Sequence, residues 1–201
     1  QSAVNSFGSV VVAANAAAGN VEGLISTTMN AYYNAAITFT GQRMGAQDYD
    51  GIDTVAKTSA AYILVTWVIL GAVTVVFGPT LLGFYTTSPE VVEMGMLRMK
   101  IMMVVYFTCG TMNVFPGITR AMGYSVLPML CTLVGACIMR IIWLATVFAW
   151  KPTVFVLFLC YPVTWTIAGL GQVLSFFYAR HQVRKKAVDL DLDGALPTST
   201  P

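Results

Sequence analysis

Residues 58–89 read TSAAYILVTWVILGAVTVVFGPTLLGFYTTSP and hold no Asp, Glu, Lys or Arg. A helix needs about 20 predominantly apolar residues to cross the hydrocarbon core of a bilayer. This run alone exceeds that length. It is continuous, whereas a closed barrel would show alternating segments of about ten residues. Residues 23–42, 101–119, 121–139 and 152–179 are likewise free of charge. The whole chain is 57% hydrophobic and 10% charged, with a mean hydropathy of +0.72. A soluble domain carries about a quarter charged residues. The pattern predicts an all-α polytopic membrane helix bundle. It has about five full transmembrane helices, over roughly 11–40, 57–82, 94–118, 124–148 and 153–178, plus the end of one more at 1–7.

The connections punctuate this reading. Gly8 and Ser9 close the first short piece, and GQRMGAQDYDGID reads as a loop after the first span. Ser88 before Pro89 and Glu90 has the form of a helix cap with proline at the first helical position. Pro116 is expected to kink the third span near its end, and Arg98 and Lys100 at its start to snorkel to the nearer interface. Residues 183–201 form a polar tail, with disorder expected beyond about residue 187. The chain opens at Gln1 in an already apolar stretch with no signal-peptide charge region, as expected of a piece of a longer protein. Arg43, Lys57, Arg120, Arg180, Arg184, Lys185 and Lys186 fall on one side of the spans, against Arg98, Lys100 and Lys151 on the other. The positive-inside rule then puts the C-terminus in the cytoplasm and makes this a multi-pass protein of the cell membrane.

Within the apolar runs Glu22 stands out, with no other acidic residue before Asp48. A charge at membrane depth costs roughly 3 kcal/mol or more unless paired or protonated, so it marks a functional site by default. Asn15, Gly19, Glu22, Ser26, Asn30 and Tyr33 step by three or four residues and share a helix face. Such a stripe lines a watery cavity or glues helices together, and Gly19 and Gly23 form a GxxxG pair that suits the second role. Arg140 lies at a depth matching that of Glu22 and is its expected partner. Their pairing reads either as a static link between helices or as a carboxylate whose proton or sodium affinity a guanidinium tunes. In the third span Tyr106, Cys109, Gly110, Asn113 and Gly117 make a small, polar inner face. Beside Pro116 that face suits either a packing kink or a freed carbonyl open to an ion or water.

Other chemistries are poorly served. The only histidine, His181, is outside the spans, and no Gly-rich phosphate loop is present. An intramembrane enzyme would need paired aspartates, a Ser–His dyad or a zinc motif at depth, and the spans hold none. No enzyme and no cofactor is expected. Cys109, Cys131, Cys137 and Cys160 lack metal-ligand spacing and read as buried free thiols. The basic tail suits anionic lipid better than nucleic acid.

The run NSFGSVVVAANAAAGNVEGLISTTMNAYYNAAITFTGQRMGAQ resembles the start of the second half of multidrug and toxic compound extrusion (MATE) transporters. Their GQNxGA-like motif is GQRMGA here, from Gly41 to Ala46. ITRAMGYSVLPM resembles the family's LRGxGxxxxPM connector, with Ala121 where Gly is frequent. CIMRIIW and YPVTWTIAGLGQ resemble its last two helices. The resemblance implies half of a two-lobe, twelve-helix transporter. Residues 1–182 would be the C-terminal six-helix lobe, its first helix truncated, and the N-terminal six-helix lobe would be its missing partner. Such proteins export cationic or amphipathic drugs in exchange for a coupling cation, proton or sodium. Some members carry an acidic residue on helix seven and an aspartate on helix ten. The second position falls near Cys109 here, which leaves Glu22 as the acidic candidate within these spans. Asn15, Ser26, Asn30, Tyr33 and Asn113 would line the cavity, with Arg140 beside Glu22. A lipid-linked precursor flippase shares the wider architecture and stays open as an alternative.

Overall fold

The computed structural model describes residues 8–192, with the side chains beyond 189 left aside. All regular elements among the described residues are helical. They are α1 (Ser9–Gly45), α2 (Tyr49–Gly83), α3 (Pro89–Val104), α4 (Tyr106–Ala121), α5 (Val126–Phe148) and α6 (Val154–Leu192). The expected helix end at 1–7 and the end of the tail, 193–201, lie outside the described residues. Three helices, α2, α5 and α6, are long and apolar enough to cross a membrane, and α3 with α4 makes a fourth if the bent pair is one span. The sequence predicts about five. The fifth, α1, has the length, 37 residues or about 55 Å. It falls short in hydropathy because Asn15, Asn20, Glu22, Asn30 and Asn34 lie along it.

The first turn is tighter than expected. Helix α1 runs on through Gln42 and Arg43 to Gly45, and α2 begins at Tyr49, so most of the predicted loop is helical. Asp48 makes this possible. Its carboxylate accepts the Gly51 N–H at 2.8 Å as an N-cap and takes a bond from Arg43 Nη1 at 2.6 Å. The turn itself is carried by Gln47, in the left-handed region at φ 56°. Pro89 does open α3 at its first position, but the Ser88 side chain makes no cap bond.

The bend in the third span is at Val105, not Pro116. Val105 leaves helical geometry (φ −122°, ψ 20°), and the axes of α3 and α4 turn by 57°. The carbonyls freed there are taken up locally. Trp67 Nε1 donates to Met103 O at 2.6 Å, and Thr108 Oγ1 donates to Val105 O at 2.7 Å. Pro116 sits buried inside α4 without breaking it.

Helix α4 is central, packed between α1, α2 and α6 around Met29, Ile63, Val114, Ile118 and Phe176. Small residues set the helix separations, as is usual where lipid removes the hydrophobic drive for helices to associate. A Cβ on Gly135 of α5 would stand 2.6 Å from Ala168 Cα of α6, and one on Gly110 of α4 2.5 Å from Ile63 of α2. Helix α5 is otherwise peripheral, with Leu133, Val134, Ile138 and Ile141 turned outward. It passes through two π-helical stretches, Leu133–Ile138 and Leu144–Phe148. Cys109 and Cys160 are buried and Cys131 partly so, but Cys137 is exposed on α5, and all four are free thiols.

Helix α6 continues past residue 182 to Leu192, where the sequence suggested a polar tail. Arg184 bonds Asp53 at 3.0 Å and also Asp50, while Arg180 pairs with Asp53. Val183 is buried in the main core. The basic stretch is therefore tied to the start of α2 before any lipid is considered.

Candidate functional site

The site grows from Glu22, in the N-terminal half of α1 and 9% exposed. Its Oε2 accepts a bond from Arg98 Nη2 at 2.7 Å. Arg98, on α3, is 5% exposed and also donates through Nη1 to Asn15 O at 2.5 Å and Asn15 Oδ1 at 2.8 Å. Asn15 and Glu22 are two turns apart on one face of α1, so a single guanidinium spans both. Gly19 lies between them, and its open side leaves room for Arg98 Nη1, 3.8 Å from where a Cβ would be.

Arg98 is thus not an interfacial charge. Lys100 is exposed two positions on, because residues two apart on a helix point to different sides. The predicted partner of Glu22, Arg140, is elsewhere. It stacks on the ring of Tyr161 at 4.5 Å, and Arg98 approaches the same ring at 5.7 Å. Equal depth brought Arg140 to the right level but not to the right neighbour, since a 2.7 Å contact from α3 already occupies the carboxylate. Tyr161 and Tyr106 both pack edge-on against Trp165, and Tyr106 Oη reaches Glu22 O at 3.5 Å. The result is one carboxylate and two guanidiniums around a small aromatic group. Among the described residues Glu22 Oε1, Arg98 Nε and Arg140 Nε are buried without a hydrogen-bond partner. The arrangement can hold charge at depth, and it retains an unused acceptor and unused donors.

The other predicted residues divide. Ser26 is exposed, with its hydroxyl bonded back to Glu22 O at 3.0 Å. Asn30 is exposed on α1. Tyr33 packs on Gly117 and accepts from Arg120 Nη1 at 3.1 Å, well along α1 from the pair. Asn113 donates to Cys109 O at 2.7 Å within α4. The structure therefore gathers Asn15 and Glu22 and leaves Ser26, Asn30, Tyr33, Asn113 and Arg140 outside the contact with Arg98. Arg98, Tyr161 and Trp165 were missed, and Tyr106, read as part of the polar inner face of its span, was not linked to Glu22. Leu97 and Met99 flank Arg98 and offered a hint of burial, masked by nearby Glu93 and Lys100.

Beside the buried pair, α1 presents a second polar face. Asn20, Gly23, Thr27, Asn30, Asn34 and Thr38 are all exposed and recur at helical spacing. Thr27 and Thr38 bond to the backbone of their own helix. The carboxamides of Asn20, Asn30 and Asn34 have no partner among the described residues. Gly23 meets no atom within 4 Å among the described residues, so the GxxxG pair seats no second helix there.

The family model MatE matches residues 1–146, which include both partners of the buried pair. No curated protein matches the chain.

Proposed function

Given that the chain belongs to the MatE family of membrane transporters, we propose that it forms one wall of the central cavity of a secondary active multidrug exporter. The exporter exchanges cationic or amphipathic drugs for protons or sodium by alternating access. The single observation that carries this reading is the exposed polar face of α1. Three unpartnered carboxamides, each costing several kcal/mol in hydrocarbon, sit in the middle of a helix whose neighbours show lipid bulky apolar side chains. Water or a second six-helix lobe relieves that cost, and a two-lobe transporter supplies both. Residues 1–182 are then one lobe, with the basic end of α6 on the cytoplasmic side of the cell membrane. Glu22 is the coupling carboxylate, with Arg98 held against it. A cation that binds Glu22 in one state competes with Arg98 and shifts the balance between inward and outward states.

A static link between α1 and α3 is the plainer role for the same pair. Export assays separate the two. If Glu22 couples, Glu22→Gln/Arg98→Gln is made and inserted at the parent level in drug-sensitive cells yet gives no resistance. Parent-level resistance from that double variant removes Glu22 from the mechanism.

One observation favours the alternative of a lipid-linked precursor flippase. Two guanidiniums, Arg98 and Arg140, lie over the ring of Tyr161, and only Arg98 is paired with a carboxylate, a surplus of positive charge that suits a phosphate-bearing substrate. On that reading Arg140→Gln abolishes transport, whereas a cation exporter tolerates it.

A further inference from the structure

A groove of about 310 Å³ opens between α2 and α6 at the basic end of the bundle. Ala56, Ala60, Phe115 and Phe176 make its apolar walls, and Lys57 and Arg180 stand at its head. It is remote from Glu22, which pairs on α1 and α3. Its outer rim includes Phe177, which is exposed, as are Leu64 on α2 and Leu174 on α6 nearby, so the groove is continuous with the bulky apolar surface.

The head of the groove has an unbalanced charge. Asp53 is already held by Arg180 and Arg184, and Asp50 by Arg184. Lys57 has no acidic partner among the described residues. Three cations therefore meet two carboxylates, with Lys185 and Lys186 close behind on α6. A cationic head group meets Lys57, and both carboxylates already have an oxygen on an arginine. A neutral one gains nothing from the surplus. We propose that this groove is a binding site for an anionic phospholipid, with an acyl chain against Phe115 and Phe176 and the head-group phosphate at Lys57 and Arg180. The ligand comes from the bilayer, because the apolar part of the groove opens to lipid. The site is independent of what the protein transports, and its occupant bridges α2 and α6.

The test uses the full chain in mild detergent, with native mass spectrometry after adding phosphatidylglycerol or phosphatidylcholine of matched acyl chains. One phosphatidylglycerol is retained, with a preference of about fivefold over phosphatidylcholine, the effect of one lysine near a head group. Lys57→Gln brings the two lipids to equal retention without changing the melting temperature in detergent alone. Ala60→Phe fills the groove while leaving each charge in place, and it loses retention of both lipids. If Ala60→Phe fails to fold, Lys57→Gln carries the test alone. Equal retention of the two lipids by the parent chain overturns the proposal, as does an unchanged preference in Lys57→Gln. Displacement of phosphatidylglycerol by millimolar inorganic phosphate also overturns it, since the site would then recognise a free anion.

Discussion

At the scale of single residues, Glu22 and Arg98 depend on each other. Removing one partner of a buried pair strands the other charge and costs about 3–5 kcal/mol, whereas removing both can be nearly neutral. Glu22→Gln and Arg98→Gln should each lower the melting temperature in detergent sharply, and the double variant should recover most of the loss. Arg140→Gln should cost much less, because Arg140 loses a ring contact and strands no carboxylate. A double variant no more stable than the singles would show that Arg98 holds Asn15 and the fold by itself. Asp48 offers a second test, in the turn outside the spans. Its pKa is lowered, chiefly by the Gly51 N–H it accepts and further by Arg43 beside it. A carboxylate with a depressed folded-state pKa contributes above the ordinary aspartate range, near about 4, and that contribution is lost as pH falls through the lower folded-state value. Hydrogen-exchange protection at Gly51 should therefore hold at neutral pH and fall at acid pH. In Asp48→Asn, which still accepts the bond, it should be flat across the same range. Equal acid sensitivity in both proteins would place the titrating group elsewhere.

At the scale of elements, α5 is the most weakly held helix. Only Pro128 and Gly135 are buried on it, and Gly135 lies on the α6 backbone. A methyl there meets Ala168 Cα, which cannot swing away as a flexible side chain would. Gly135→Ala should cost about 1–3 kcal/mol through forced separation of the helices. Gly23→Ala, where a Cβ meets nothing, should be neutral or raise stability through better helix propensity. Similar melting temperatures for the two variants would mean that α5 is not seated through Gly135. The helices themselves were legible in the sequence because hydropathy reports burial in lipid, and charge-free runs such as 58–89 need no partner to be recognised. Partners were not legible. Depth along a helix is a one-dimensional quantity and selected Arg140, whereas contact depends on rotation about the helix axis, which turned Arg98 toward Glu22. The bend was misplaced for a related reason. Pro116 is visible in any reading of the chain, but the break at Val105 depends on Trp67, on another helix, accepting the role of donor to the freed Met103 carbonyl.

At the scale of the whole molecule, two kinds of exposed surface have to be explained together. Val68, Val76, Leu133, Ile141 and Leu174 are bulky and apolar, as lipid requires. The face of α1 running from Asn20 to Thr38 carries Asn20, Thr27, Asn30, Asn34 and Thr38, with Leu24 as its one bulky apolar member, and lipid would penalise its carboxamides. If that face lines a cavity, water reaches it inside the membrane. Single cysteines at Thr27 and Asn34, in a background with the four native cysteines replaced by serine or alanine, should then react with a membrane-impermeant maleimide. Cysteines at Val68 and Ile141 should stay unreactive at similar depth, because a thiol in hydrocarbon stays protonated and the thiolate is the nucleophile. Adding a transported cation or drug should slow labelling on α1 and leave the outer positions unchanged. Uniformly slow labelling would indicate that protein covers the face, as tight helix packing requires, and the stripe would then be glue. Fast labelling at Val68 as well would indicate that the outer surface is not lipid-facing, and the membrane placement of α2 would have to be redrawn. The pattern that supports a cavity is the contrast between the two faces, read at one depth in one preparation.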